Sequence, residues 1–188
     1  MPAKTIAELI QYARANPGKL NVAAASPASI FTMAHLNSIS KITVTNITYK
    51  GDVAAMADLL SGRVDVMVGG TNLVLPFVKE GKLRALAAIT RSRTPPAPDV
   101  PTMVEAGVPS FNIYNWFALF GPAKTPNVIV DRLEREVNAV LKRPDIEAQF
   151  NRIGFDLSGP TKQELPSFLK EQKAAWAAAA RDGGIQPQ

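Results

Sequence analysis

Three times in its first 72 residues the chain passes from a short apolar run, through small or polar residues, into a helix-forming segment. The passages fall at Ala23 to Ser29, Tyr49 to Asp52 and Val68 to Asn72. Strands separated by whole helices cannot be joined as hairpins. They run parallel, with crossover helices covering the sheet, which is an α/β layered fold. In such a layer the three junctions share one edge, where helix N-termini present unpaired N–H groups and the positive end of the helix dipole. An anion fits there. Ser26, Ser29, Thr71 and Asn72 offer side-chain hydrogen bonds, and Gly51, Gly69 and Gly70 allow a ligand close to the backbone. Ordinary α/β proteins carry the same turns, so spacing alone leaves open whether this edge grips a ligand.

Local signals predict the remaining elements. Thr5 with Glu8 is a capping box opening a helix that ends before Pro17-Gly18, with Leu9, Ile10 and Ala13 toward a core. "KLNVAAAS" reads as a buried strand and "PASIFTMAHLNSI" as a helix opening at Ser26-Pro27, where proline suits a first turn. "TVTNITY" is a strand, Asp52 to Leu60 a helix packing through Ala54, Ala55, Leu59 and Leu60, Gly62 its C-cap, and "VDVMV" a further strand. Pro76 predicts a kink or a second start in the helix "TNLVLPFVKEG". "KLRALAAIT" reads as a buried strand, "RSRTPPAPDVP" as an extended surface loop, and "FNIYNWFALFGPA" as an aromatic-rich strand ended by Gly121-Pro122. Helices follow over Pro126 to Leu141 and Pro144 to Arg152, then a short strand near Gly154 to Leu157. A last helix opens on a second capping box, Thr161 with Glu164, takes Pro166 in its first turns and stops at Gly183-Gly184.

Composition narrows the chemistry. No stretch approaches the ~18 consecutive apolar residues of a membrane helix. There is no cysteine, which removes disulfides, thiolate metal sites and cysteine nucleophiles, and one histidine, His35, which sits in a predicted helix without a partner motif and reads as structural. No GxSxG, HExxH or Walker motif occurs, and Asp52 and Asp65 stand without a second carboxylate at a defined geometry, so no enzyme, cofactor or metal is expected. The net charge of +5 raises the question of nucleic acid. The basic residues are scattered: Lys79, Lys82 and Arg84 flank a strand, Arg91 and Arg93 lie in a loop, and Arg132 and Arg135 alternate with acids on a helix. That pattern is a solvated surface, and no nucleic-acid partner is expected.

Four ordered stretches, "YKG…LLSGRVDVMVGG", "GKLRALA", "PDVPTMVEAGVP" and "WFALFGPAKTPNVIVDRL", resemble the Bug family, the extracytoplasmic solute receptors of tripartite tricarboxylate transporters. The resemblance runs from about Pro2 to the final helix. It implies an α/β fold of the type II periplasmic-binding-protein kind, closing on a small carboxylate held largely by backbone amides in an interlobe cleft. It implies a periplasmic location and membrane transporter subunits as partners. Residues 1–110 correspond to a complete second lobe, and 111–188 to the C-terminal portion of the first. Family members begin with an export signal and a first segment carrying a glycine-rich ligand loop, and neither is seen before Met1, so the chain is expected to be truncated and to hold half a cleft.

Carried over onto this sequence, the ligand-binding candidates are Ser26 and Ser29, Tyr49 and Gly51, Gly70 and Thr71, and Trp116 at the return strand, which reads equally as core packing. Lys50 is a weaker candidate counter-ion, since the family grip relies on amides. The first loop departs from the family's serines and glycines at Ala24, Ala25, Pro27 and Ala28, and Gly69-Gly70 stand where the family often has Asp-Asn. The apolar run Phe111, Ile113, Trp116, Phe117, Leu119 and Phe120 predicts an unpaired strand edge and a homodimer. A truncated or vestigial effector-sensing module that dimerises without tight ligand binding is the alternative reading.

Overall fold

The computed structural model describes residues 3–155, 157 and 159–185. Helix α1 spans Ile6–Ala15, with the Thr5 side chain accepting from the Glu8 N–H at 3.1 Å. The Glu8 carboxylate reaches back one residue further than a full capping box, to the Lys4 N–H. Ile6, Leu9 and Ala13 are buried, as their spacing on one helix face requires. Strand β1, Asn21–Ala24, follows and lies at the centre of a parallel sheet of order β2-β1-β3, between β2 (Thr45–Thr48) and β3 (Val66–Met67). The register aligns Asn21 with Thr45 and Val22 with Val66.

Alternation along β1 distributes the core. Val22 points into a cluster with Ile6, Leu9, Ala13, Met33 and Leu36, while Ala23 faces the other side with Ala55 and Val64. The sheet therefore carries α1 and α2 (Pro27–Ser40) on one face and α3 (Asp52–Ser61) on the other. Of the residues expected to pack α3, Ala55 is buried and Leu59 half-buried, while Ala54 and Leu60 stay exposed and Met56 takes the second core position. Gly62 ends α3 in the left-handed conformation, at φ 78°. Helix α4, Thr71–Lys79, runs through Pro76 without a break, forgoing the one bond that a residue there would donate to the Asn72 carbonyl.

Three expected strands are not found among the described residues. Residues 82–90 make one parallel bridge, Ala88 to Thr102, and otherwise lie as irregular chain with Leu86, Ala87 and Ile89 against the main core. Their backbone pairs with the 101–103 turn and not with the two-residue β3: Ala88 N–H donates to Pro101 O and Met103 N–H to Ala88 O. Residues 111–122 carry no strand either. Phe111 and Ile113 are buried in the core, but from Asn115 onward the run is exposed and has no strand beside it among the described residues. A strand gains its hydrogen bonds from a neighbour, and without one its propensity counts for little. The segment Arg91 to Pro101 forms successive turns around a buried Thr94 and is not extended. Of the expected strand at Gly154 to Leu157, Asp156 lies outside the described residues, and the described ones carry no strand.

Helices α5 (Asn127–Leu141) and α6 (Pro144–Arg152) follow, neither with a buried residue. Thr161 and Glu164 exchange the two hydrogen bonds of a capping box, and α7, Leu165–Asp182, begins where Pro166 allows regular helix. It returns to the main core through Ala179 and packs against α2. The Phe31 and Trp176 rings meet edge-on at 5.5 Å, and Gly183 lies so close to Ala34 that a Cβ there would sit 2.4 Å from the Ala34 Cβ.

Candidate functional site

The three junctions lie together at the C-terminal edge of the parallel sheet, and each is built differently. At the first, Ser26 is the N-cap of α2, accepting from the Ser29 N–H at 3.2 Å. Ser29 is 1% exposed. Its hydroxyl accepts from the N–H groups of Ala25 (3.1 Å) and Ser26 (3.0 Å) and donates to the Ser26 carbonyl (2.8 Å). The loop amides that spacing offered to an anion are thus held by the protein's own serine.

At the second junction, Gly51 is the N-cap of α3 with φ 152°, a backbone conformation that L side chains rarely adopt. Tyr49 is held at both ends: its N–H donates to Ala24 O, and its hydroxyl donates to Asp58 Oδ2 at 2.8 Å. Asp58, a quarter exposed, also pairs with Arg63 at 3.0 Å. The Tyr49 hydroxyl and then the Arg63 guanidinium hold the Asp58 carboxyl below its usual value, while partial burial and then Asp58 raise the Tyr49 hydroxyl. Asp58 is a residue that sequence reasoning missed, nine positions on from Tyr49 and within α3. Asp52, the first residue of α3, keeps one carboxylate oxygen buried without a hydrogen-bond partner among the described residues, and Lys50 stays exposed. Asp65 is structural: its carboxylate accepts from the Asn21 N–H at 2.9 Å.

At the third junction Gly70 is the N-cap of α4, and Asn72 Oδ1 would lie 2.9 Å from any Cβ added there. Thr71 opens the helix. Gly154 approaches it so closely that a Cβ at Gly154 would lie 2.7 Å from the Thr71 side chain. No side chain caps α3 or α4. Their first N–H groups therefore remain available on the same edge that Tyr49 and Thr71 flank.

Trp116 is 37% exposed and meets Phe168 edge-on at 5.8 Å, so it is not a core tryptophan. A cavity of about 260 Å³ lined by Arg91, Gly159, Pro160, Glu164, Ser167 and Phe168 includes none of the candidates, and neither does a second of about 530 Å³ around Lys82, Arg84 and Asp99. The candidate site is an open edge. Among the described residues, no group of three or more His, Asp or Glu side chains is placed to hold a metal ion. Several basic residues are engaged in exposed ion pairs, Arg93 with Glu105, Arg143 with Asp145 and Lys162 with Asp131.

A parallel sheet covered on both faces, with its helix N-termini gathered on one edge and a late helix packed on α2, is an α/β lobe of the kind the periplasmic-binding-protein class is built from. Solved structures agree. The chain superposes on an R. palustris protein solved with adipate at TM-score 0.79, with 28% identity, over 100% of this chain and 64% of that one. For MatC from Rhodopseudomonas palustris with bound malate the values are 0.70, 28%, 95% and 62%, and for the periplasmic binding protein BugD they are 0.71, 28%, 100% and 64%. The architecture is one complete lobe plus the C-terminal part of the other. The chain belongs to the tripartite tricarboxylate transporter family receptors, whose family model matches residues 1–184. It is 31% identical over 182 residues to BugT of Bordetella pertussis, covering 95% of this chain and 55% of BugT. It is also 31% identical over 179 residues to a UPF0065 protein in the tcbD-tcbE intergenic region of a Pseudomonas species, covering 92% and 52%. The chain spans about half the length of the curated relatives it matches. Among the described residues no helix is long and apolar enough to cross a membrane.

Proposed function

We propose that the protein is the solute-binding receptor component of a tripartite tricarboxylate-type transporter, binding a small carboxylate without transforming it. The observation that supports this reading is the pair of uncapped helix N-termini, α3 after Gly51 and α4 after Gly70, on one sheet edge of a chain that matches the receptor family. In this reading their amides hold the carboxylate at an interlobe cleft, Tyr49 and Thr71 flank it, and Ser26 and Ser29 act by shaping the first junction. Residues 1–110 form the second lobe and 111–188 the C-terminal portion of the first. The receptor works in the periplasm with membrane transporter subunits, and it binds no nucleic acid. Calorimetric titration with adipate, malate and a tricarboxylate tests it. Saturable binding to at least one is expected, and silence across the panel overturns the reading.

A specific surface supports the second reading, a module that self-associates. Phe117, Leu119, Val128, Ile129, Leu133, Val137 and Val140 are all exposed, and the last four lie along one side of α5. A second copy placed against this face forms the homodimer.

A further inference from the structure

His35 is the chain's only histidine, and it sits on α2 where that helix meets the returning segment Ser110–Asn112 and α7. The side chain is 7% exposed, with its ring edge-on to the fully buried Phe111 at a centroid distance of 5.2 Å. Nε2 is buried and has no hydrogen-bond partner among the described residues; the same holds for Gln172 Oε1 on α7, whose amide nitrogen donates to Asn112 O. The groups facing the imidazole are few. The return segment offers the uncharged Ser110 carbonyl and Asn112 side chain, α7 offers the Asp182 carboxylate, and α2 carries no other titratable residue. Around His35 the two helices are tied by Phe31 against Trp176, Ala34 against Gly183, and Ser38 Oγ donating to Asp182 Oδ2 at 3.2 Å.

A neutral imidazole tolerates one unsatisfied nitrogen at modest cost, but a protonated ring must donate from both nitrogens and brings a charge into an apolar contact. We propose that His35 is a proton-sensitive latch: with its ring neutral, α7 and the 110–112 return pack onto α2 as seen, and protonation loosens both from it. This inference does not rest on the receptor reading.

Burial pushes the His35 pKa below its ordinary 6.5, outweighing Ser110, Asn112 and Asp182, which favour the charged ring. The unfolded chain then takes up the proton first. The contribution to stability is complete above 6.5 and is lost as pH falls from there toward the lower folded value. Each unit of depression lowers the folded-to-unfolded ratio by up to about tenfold at acid pH.

The test uses Trp176, which lies on the α2–α7 contact, as the sole emitter in a Trp116→Phe background. Between about pH 7.5 and about pH 5, the range in which histidine titrates, Trp176 emission should shift to the red while far-ultraviolet circular dichroism holds. His35→Leu should abolish the shift. An emission unchanged with pH, or the same shift in His35→Leu, overturns the proposal. Should His35→Leu fail to fold, an NMR titration of the unaltered chain decides: Trp176 indole shifts that follow the titration of the single imidazole support the latch, and Trp176 shifts that stay constant while the imidazole titrates refute it.

Discussion

Replacing Ser29 by alanine separates a structural role at the first junction from a direct role in binding. The hydroxyl of Ser29, a residue 1% exposed, accepts two backbone N–H groups, those of the half-buried Ala25 and Ser26, and donates to the Ser26 carbonyl. Its loss leaves two half-buried donors without their protein partner. At a net ~1 kcal/mol per hydrogen bond, and up to ~3 for a buried donor left unsatisfied, the cost is about 2–4 kcal/mol. Alanine's better helix propensity offsets about half a kcal/mol of that. Ser26→Ala removes a single capping bond, to the Ser29 N–H, and costs ~1 kcal/mol. For a chain of this size ~1 kcal/mol moves the melting midpoint by about 2–4 °C, so Ser29→Ala should melt roughly 3–14 °C lower and Ser26→Ala about 2–4 °C lower. Urea and thermal unfolding of the three proteins, followed by circular dichroism, measure both. If Ser29→Ala is no less stable than Ser26→Ala while its carboxylate affinity falls, the hydroxyl serves the ligand and its role as the loop's internal acceptor is refuted.

Other perturbations read other parts of the fold. Gly183→Ala places a methyl 2.4 Å from the Ala34 Cβ and should destabilise by about 1–3 kcal/mol through overpacking; in a double-mutant cycle with Ala34→Gly the two changes should couple favourably, and simple additivity would show that the helices do not meet there. Since Tyr49 and Arg63 depress the Asp58 pKa from its ordinary 3.8, the stability that this carboxylate contributes is present above that value and lost as pH falls through the lower folded pKa. Tyr49→Phe should therefore raise the Asp58 pKa in a carboxyl-carbon NMR titration, and an unchanged value would mean that the hydroxyl does not reach it. Phe117→Ser with Val137→Ser should reduce self-association in a light-scattering dilution series without lowering the melting midpoint, because both side chains are exposed in the single chain; a monomer at tens of micromolar before substitution would remove the dimer reading.

What the sequence determined by itself was local and chemical. Helix starts at Thr5 and Ser26-Pro27, and stops at Gly62 and Gly183-Gly184, are set by residues within a turn of the boundary, so they stand where spacing placed them, whereas Thr161 and Glu164 make their capping-box bonds but α7 starts later, at Leu165 with Glu164 as its N-cap. The parallel order and the gathering of three junctions on one edge follow from the alternation of strand and helix, and four ordered motifs were enough to reach the family. Tertiary structure decided whatever needs a distant partner. Residues 82–90 and 111–122 have strand composition, yet a strand exists only beside another, and the first run met a turn while the second met no strand among the described residues. The hydroxyls that looked free to bind were likewise assigned by packing: Ser29 turns inward to its own loop, and Tyr49 reaches Asp58 on the following helix, α3. His35 shows the same division. Its isolation was legible, but its burial against Phe111 and the want of a partner for Nε2 appear only when α2, the return segment and α7 converge, because burial belongs to the assembled core and to no residue alone.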